Sequence, residues 1–383
     1  MKSLTDWKKY QLTDNWFVSI GADPRFPMAG RQEFLSRVVL TIKDFIGVQT
    51  NRGLMLIGDY GMGKTFTLMK LEQAILADQP ILAVRLPLLP SDPAPRFGVD
   101  FIRRIYATIG KERLIELCHN SSLGFLDSVD GFVRQIFTNL KSADNSDVVE
   151  LSYDYLTSSQ SLTKSELTQI QVRRTLTTTT AAFDSLFGLM CLAKSVQKLS
   201  LLILVDEMEY LFTEKSSAKA AEVINNLRAL LDIYSEKVAR GLSTDKFSNV
   251  VFLYALSDDG FARLQAYEQR RQSSSGGGWR PFLDRISPGY RFFLEPLKRE
   301  ETESLIELRM SIDPLRHKQQ PQPPFIPYTE DFIDYIYEVS VGKPRDIVDY
   351  SGIVLAEGLR KGIARIDNKF ARTILESFHM VRT

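Results

Sequence analysis

Residues Gly58-Asp59-Tyr60-Gly61-Met62-Gly63-Lys64-Thr65 fit the pattern GxxxxGK[ST] in full, and Phe66 follows them. An apolar run at 53–57 predicts a buried strand before the motif, and residues 65–76 predict a helix after it. Glycines let backbone N–H groups wrap a phosphate without a Cβ clash, and a helix N-terminus adds partial positive charge. The stretch from Gly58 to Phe66 therefore predicts an ATP site, in which Lys64 reaches the β- and γ-phosphates and Thr65 ligates Mg²⁺.

A second motif is the apolar run at 201–205, which is followed by Asp206 and Glu207. A carboxylate at the end of a buried strand lies where α/β sheets bind their ligands. We expect Asp206 to hold Mg²⁺ and Glu207 to orient and deprotonate the attacking water, an arrangement that suits hydrolysis. A structural Asp-Glu turn is the alternative. Glu209 is expected to be a solvated residue of the following segment.

Further candidates follow the strand predicted at 249–256. Asp258 either touches the γ-phosphate or the lytic water, or it caps a helix. Guanidinium groups stabilise the charge that develops on a γ-phosphate, so the arginines after the Ser/Gly-rich loop predicted at 272–278 are candidates for an arginine finger. Among Arg280, Arg285 and Arg291 we favour Arg285, with Arg291 second.

Arg345 stands in the run Gly342-Lys343-Pro344-Arg345, which predicts the start of a helix. A cation in the first turn of a helix is poorly placed for the helix dipole. The position makes better sense if Arg345 faces an anion such as ATP, and an ordinary surface arginine is the alternative.

Composition restricts the function classes. The 383 residues carry a formal net charge of +1, whereas a dedicated DNA-binding domain is usually much more basic. The two cysteines form no CxxC pair, so a structural zinc site is not expected and a reducing, cytoplasmic location is. The N-terminus shows no secretory signal, and no apolar run is long enough to span a membrane, so no membrane partner is expected.

The order of elements predicts the fold class. Predicted strands at 53–57, 81–86, 201–205 and 249–256 alternate with helices, which predicts an α/β fold with a parallel sheet in αβα layers. We expect an N-terminal leader at 1–29, a nucleotide-binding core at 30–296 and an all-helical bundle at 297–383. Residues 88–198 are predicted to be a helical insertion, with an exposed polar excursion at 142–167.

The motifs together resemble the AAA+ ATPases, and more narrowly the origin-recognition and replication-initiator branch. Ala29-Gly30-Arg31-Gln32-Glu33 resembles the opening box of that branch, and Leu283-Asp284-Arg285-Ile286 resembles its arginine-finger box. Asp258 occupies the sensor 1 position, where Asn is usual, and Gly342-Lys343-Pro344-Arg345 resembles the start of the sensor 2 helix in the lid. The spacing from Tyr155 through Arg174 to Glu209 also resembles ATP-binding proteins of BREX-type bacterial defence systems.

The resemblance implies that ATP binds between core and lid, and that a finger arginine acts on the ATP of a neighbouring copy in a homo-oligomer. It does not carry DNA binding over, because the winged helix of the branch is not expected in a chain that ends soon after the lid. Three functions stay open: an ATPase that acts on DNA as a loader, regulator or defence component, an ATP-driven switch on a protein partner, and a small-molecule kinase. The Asp206-Glu207 pair and Arg345 argue against the kinase, and we favour the first reading over the second.

Overall fold

The computed structural model describes residues 7–17, 26–88, 97–142, 145–158, 160–211, 217–274, 281–319 and 323–381. The predicted loop residues 275–278 and the candidate Arg280 lie outside these ranges. The chain divides into two compact units. Unit 1 comprises Met1–Val38, Gly58–Leu71 and Leu294–Thr383, and unit 2 comprises Val39–Ile57 and Glu72–Phe293. The glycine-rich loop therefore belongs to the same unit as the C-terminal helices.

Unit 2 is built on a parallel sheet of five strands. These are β1 (Arg52–Ile57), β2 (Ile81–Pro87), β3 (Ser200–Asp206), β4 (Asn249–Leu256) and β5 (Arg291–Phe293). Their order across the sheet is β2-β3-β4-β1-β5, and every pair is parallel. Ile57 pairs with Leu256, and Val205 pairs with Tyr254, so the carboxyl ends of β1, β3 and β4 share one edge. The predicted α/β class with a parallel sheet is confirmed.

Burial explains why two of the interior strands, β3 and β4, could be predicted. Every residue of β3 and of β4 is buried, and continuous apolar runs are typical of parallel strands covered on both faces. The edge strand β5 was missed because it has only three residues, too few to show a periodic pattern. Its middle residue, Phe292, is the only one of the three that is buried.

Fifteen α-helices lie in the described ranges. Those up to the end of the sheet are α1 (Gln32–Phe45), α2 (Lys64–Leu76), α3 (Phe97–Ile109), α4 (Lys111–Asn120), α5 (Gly131–Ser142), α6 (Ser146–Thr157), α7 (Lys164–Gln169), α8 (Thr179–Ser195), α9 (Ser217–Ala239) and α10 (Asp258–Ser274). Those after it are α11 (Arg299–Ser311), α12 (Pro314–Gln319), α13 (Glu330–Ser340), α14 (Pro344–Arg360) and α15 (Asn368–Ser377). No helix in the described part of the chain is long and apolar enough to cross a membrane.

Two local predictions were wrong. The stretch 142–167 is not an exposed excursion, because α6 places Val149, Tyr155 and Leu156 in the core of unit 2. Most of its polar residues are exposed or partly exposed, although Ser152 is buried, and this composition hid the apolar stripe in the sequence. Residues 272–274, predicted as loop, are the last three residues of α10.

Unit 1 has its own hydrophobic core, to which α11, α13, α14, α15 and the N-terminal segment contribute. The stacked rings of Tyr328 and Phe332 are buried in it, with centroids 4.1 Å apart. Asp313 fastens the N-terminal segment to the helices, since its Oδ2 accepts hydrogen bonds from the Thr13 backbone N–H at 2.5 Å and the Trp16 indole N–H at 2.7 Å. The described leader residues 7–17 therefore pack on the C-terminal helices within unit 1.

Candidate functional site

The glycine-rich loop lies between β1 and α2, as the motif predicts. Gly61 and Gly63 have φ values of +83° and +81°, a left-handed backbone that glycine adopts at little cost. Helix α2 begins at Lys64, so the loop leads into a helix N-terminus, where unpaired backbone N–H groups favour an anion. The backbone therefore has the shape of a phosphate cradle.

Lys64 is only 9% exposed. Its ammonium donates hydrogen bonds to the carbonyl oxygens of Gly58 at 2.9 Å and Asp59 at 3.3 Å, both within the loop. A buried cation held by two carbonyls is poorly neutralised, because a carbonyl carries no net charge. Lys64 thus fits the negative charge of a nucleotide phosphate.

Arg31 is hydrogen-bonded to the backbone of the glycine-rich loop. Its guanidinium donates to the Met62 carbonyl at 2.5 Å and to the Glu295 carbonyl at 2.6 Å, and burial lowers its pKa to about 10. The neighbouring Gly30 has φ +67°, and a Cβ there would lie 2.6 Å from the Glu301 side chain. The box around Arg31 therefore holds the loop and the start of the C-terminal segment together within unit 1.

The first turn of α14 contacts the loop. Lys343 Nζ lies 2.7 Å from Asp59 Oδ2, and this hydrogen bond lowers the pKa of Asp59 and raises the pKa of Lys343. The Arg345 backbone N–H donates to the Gly61 carbonyl at 3.2 Å, and its guanidinium lies 4.6 Å from the centroid of the Tyr60 ring. The structure thus brings Arg345 to the loop, and Lys343 is a neighbour that the sequence did not single out.

Asp206 and Glu207 stand at the carboxyl end of β3. Asp206 is buried, and its Oδ1 accepts a hydrogen bond from the Glu207 N–H at 3.0 Å. Glu207 has φ +56°, a left-handed conformation that is uncommon for a residue other than glycine and concentrates at functional sites. Hard carboxylate oxygens such as those of Asp206 suit Mg²⁺.

Glu209 is not the solvated residue that was expected. It lies in a short 3-10 helix, Met208–Leu211, and its Oε2 is buried with no hydrogen-bond partner among the described residues. A Cβ at Gly260 would lie 2.7 Å from the Glu209 Cβ, so the turn after β4 packs directly on this side chain. The burial of Glu209 could not be predicted from the sequence, because the residue that packs on it, Gly260, is more than fifty positions away.

The turn after β4 is capped by Ser257 and not by Asp258. Ser257 Oγ accepts a hydrogen bond from the Gly260 N–H at 3.0 Å, as an N-cap side chain does. Asp258 is the first residue of α10 and is exposed. The alternative that made Asp258 the cap is therefore wrong, and its role near a γ-phosphate stays a prediction.

The two described arginine candidates differ in their surroundings. Arg285 has a side chain that is 37% exposed, and its Nη2 lies 3.0 Å from Asp232 Oδ2 on α9. Arg291 is turned back onto its own segment, where it donates to the carbonyls of Leu283 and Ile286. Arg291 is therefore ill placed to act as a finger, and Arg285 is available at the surface.

No protein-family model matches this chain, and no curated protein matches its sequence. Among solved structures, the Aeropyrum pernix ORC2 protein superposes with a TM-score of 0.55 at 14% identity, over 96% of this chain and 72% of that one. Cdc6p from Pyrobaculum aerophilum gives 0.50 at 12% identity, over 96% and 71%. A chain of the Drosophila ORC bound to DNA gives 0.50 at 9% identity, over 99% and 66%. The chain shares its fold with these proteins.

Proposed function

We propose that this chain is a Mg²⁺-dependent AAA+ ATPase of the origin-recognition type, which binds ATP on residues Gly58 to Phe66. One observation carries the proposal: a complete GxxxxGK[ST] loop joins a parallel strand to a helix, with the buried Lys64 ammonium inside it. Arg345 and Lys343 bring two further cations to the same loop. ATP turnover by the wild-type chain, with Lys64→Ala as the blank, tests it.

The hydrolytic step is assigned to the two carboxylates after β3. Gly58 follows the last residue of β1, and the carboxyl ends of β1 and β3 share one edge of the sheet. We assign Thr65 and Asp206 to hold Mg²⁺, which neutralises phosphate charge when it is bound. Glu207 takes the proton of the attacking water, and Asp258 orients that water. Glu207→Gln should keep ATP binding and lose turnover, and equal turnover would refute the assignment.

We further propose a shared site in a homo-oligomer, and the exposure of Arg285 supports it. We assign Arg285 to the ATP of a second copy, since its guanidinium lies at the surface in a weak pair with Asp232. Arg285→Ala and Lys64→Ala proteins should each be inactive alone and should regain turnover when mixed. No recovery at any mixing ratio would count against the shared site.

Action on DNA is supported by one cluster of cations in unit 1. The basic face consists of exposed side chains from the N-terminal segment, from the end of α14, from the turn after it and from the start of α15: Lys8, Lys9, Arg360, which is paired with Glu357, Lys361, Arg365 and Lys369. The Tyr10 hydroxyl donates to the Ile363 carbonyl at 2.6 Å, which brings the two segments together. Exposed cations brought together from two segments suit the phosphates of a nucleic-acid backbone.

The DNA reading predicts that duplex DNA stimulates turnover and that binding weakens as salt is raised. Replacing Arg365 and Lys369 with Glu should weaken DNA binding. It should also make the negative slope of log K against log salt shallower by about 2. Lys164→Glu/Arg173→Glu, which alters two exposed cations of unit 2, is the matched control. If the two double variants change DNA binding equally, the basic face is not the DNA-binding surface.

A protein partner is the second candidate function, favoured by the near-neutral net charge. Turnover indifferent to DNA, together with a partner captured on the Glu207→Gln protein, would favour it. The cytoplasmic location and a role in antiviral defence stay predictions from the sequence.

A further inference from the structure

The backbone turn that carries Arg285 is held from one side by a buried carboxylate. This finger turn comprises residues 282–286 and contains the 3-10 helix Leu283–Arg285. Glu268 on α10 is 3% exposed, and its Oε1 accepts a hydrogen bond from the Phe282 N–H at 2.6 Å. Its Oε2 accepts from the Leu283 N–H at 3.2 Å. The carboxylate thus satisfies the first two donors of the turn.

Arg291, at the start of β5, holds the same turn from its other side. Its Nη2 donates to the Leu283 carbonyl at 2.7 Å and to the Ile286 carbonyl at 2.9 Å. Its Nε donates to the Ile286 carbonyl at 3.2 Å. Arg291 also pairs with Met55 in the sheet, so the acceptors of the turn are tied to the central strands.

Apolar packing completes the arrangement. Phe282 and Ile286, at the two ends of the finger turn, are fully buried, and the Phe282 ring packs edge-on against Tyr254 of β4. Arg285 lies between these anchors with a partly exposed side chain. The backbone under Arg285 is therefore fixed by two charged groups and two apolar ones, while its guanidinium can leave Asp232.

We propose that Glu268 and Arg291 are positioning residues for Arg285, which fix the finger turn so that Arg285 is presented to the nucleotide of a second copy. The inference rests on the proposed shared site. Burying a charge is costly, and here the buried Glu268 carboxylate and the partly buried Arg291 guanidinium are both used on the backbone of one five-residue turn. Fixing the backbone that carries a guanidinium before the substrate arrives reduces the reorganisation needed during the reaction.

Glu268→Gln tests the clamp with little change of shape. The amide keeps one acceptor oxygen but turns an N–H₂ group toward a backbone N–H, so one of the two bonds is lost. Arg291→Lys is the second variant, because it keeps the charge near Glu268 but has a single ammonium in place of the fork that reaches both carbonyls.

The experiment compares two mixtures in which the variant sits in different copies. In the first, Lys64→Ala/Glu268→Gln supplies the finger and Arg285→Ala supplies the nucleotide site. In the second, Lys64→Ala supplies the finger and Arg285→Ala/Glu268→Gln supplies the site. Misplacing a catalytic group by about 1 Å can cost on the order of 100-fold in rate. We expect recovery to fall about 10- to 100-fold in the first mixture only, and to fall less with Arg291→Lys in place of Glu268→Gln.

General damage to the fold would reduce both mixtures equally, and that result would overturn the positioning role. Equal, undiminished recovery in both mixtures would overturn it as well. If the parent mixture of Lys64→Ala and Arg285→Ala recovers no ATP turnover, the proposed shared site is wrong, and the positioning role that rests on it is wrong as well. The three results are distinguishable in one set of assays.

Discussion

The ion pair between Lys343 and Asp59 should tune nucleotide affinity in opposite directions when its two halves are removed. The two side chains are 35% and 55% exposed, so water and salt screen their attraction. Exposed pairs of this kind contribute about 0.2–1 kcal/mol. Both groups lie beside the phosphate cradle, and a bound triphosphate would compete with Asp59 for the Lys343 ammonium.

Asp59→Asn removes a negative charge from the loop and releases Lys343 toward the phosphates, so Mg-ATP should bind more tightly. Lys343→Ala leaves the Asp59 carboxylate facing the phosphates without a counter-ion, so binding should weaken. Since about 1.4 kcal/mol is tenfold in affinity, each change should be up to about fivefold. Both should shrink at 1 M salt, where the Debye length is about 3 Å.

Fluorescent-nucleotide titration at low and at high salt measures the effect. Asp78→Asn is the matched control, because Asp78 and Lys43 form a similarly exposed pair, at 50% and 30%, in unit 2. It should leave affinity unchanged. If Asp59→Asn weakens binding at low salt, or differs in no way from Asp78→Asn, the electrostatic reasoning is refuted.

Three further predictions concern stability and reactivity. Gly342→Ala should lower the melting temperature of the protein, because φ is +69° and the new Cβ would lie 2.1 Å from the Leu297 carbonyl oxygen; the left-handed backbone alone costs about 1–2 kcal/mol. An unchanged melting curve would contradict this. Burial raises the pKa of Glu268 from 4.5 to about 7, so the folded state binds this proton more tightly than the unfolded state. The free energy of unfolding should therefore fall as pH rises between these two values. Relative to Glu268→Gln, which does not titrate, the fall should be about 3 kcal/mol. Denaturant titrations at pH 5 and pH 8 measure this, and parallel behaviour of the two proteins would refute it. Cys118 and Cys191 are buried, and burial raises the pKa of both thiols to about 12, so thiol reagents should modify them only after unfolding; rapid labelling of the native protein would speak against it.

Much of the sheet was predictable because its central strands are continuous apolar runs that end in polar residues. Asn249–Leu256 was found with its observed limits, and the strand before Asp206 was found to within one residue at each end. Each pattern is local, since burial on both faces favours a near-continuous apolar run along such a strand. β5 could not be found, because three residues at a sheet edge need no such pattern.

The site was predictable as residue types and not as contacts. The sequence favoured Arg285 over Arg291 as the finger candidate, but it could not show how the surroundings of the two side chains differ. That distinction depends on where the neighbouring carbonyls and Glu268 lie in space. Lys343 was missed for the same reason, since 284 positions separate it from Asp59.

Because the glycine-rich loop lies within unit 1, the stability of that unit and the affinity of the loop for a ligand should depend on each other. A ligand that binds only the folded loop stabilises the unit that contains it, by about 2.7 kcal/mol at 100 times its dissociation constant. By linkage the effect is reciprocal. Loosening the stack of Tyr328 on Phe332 should therefore weaken nucleotide binding, although neither ring belongs to the loop. The C-terminal helices would thus carry part of the affinity of a site whose recognisable motif is eight residues long.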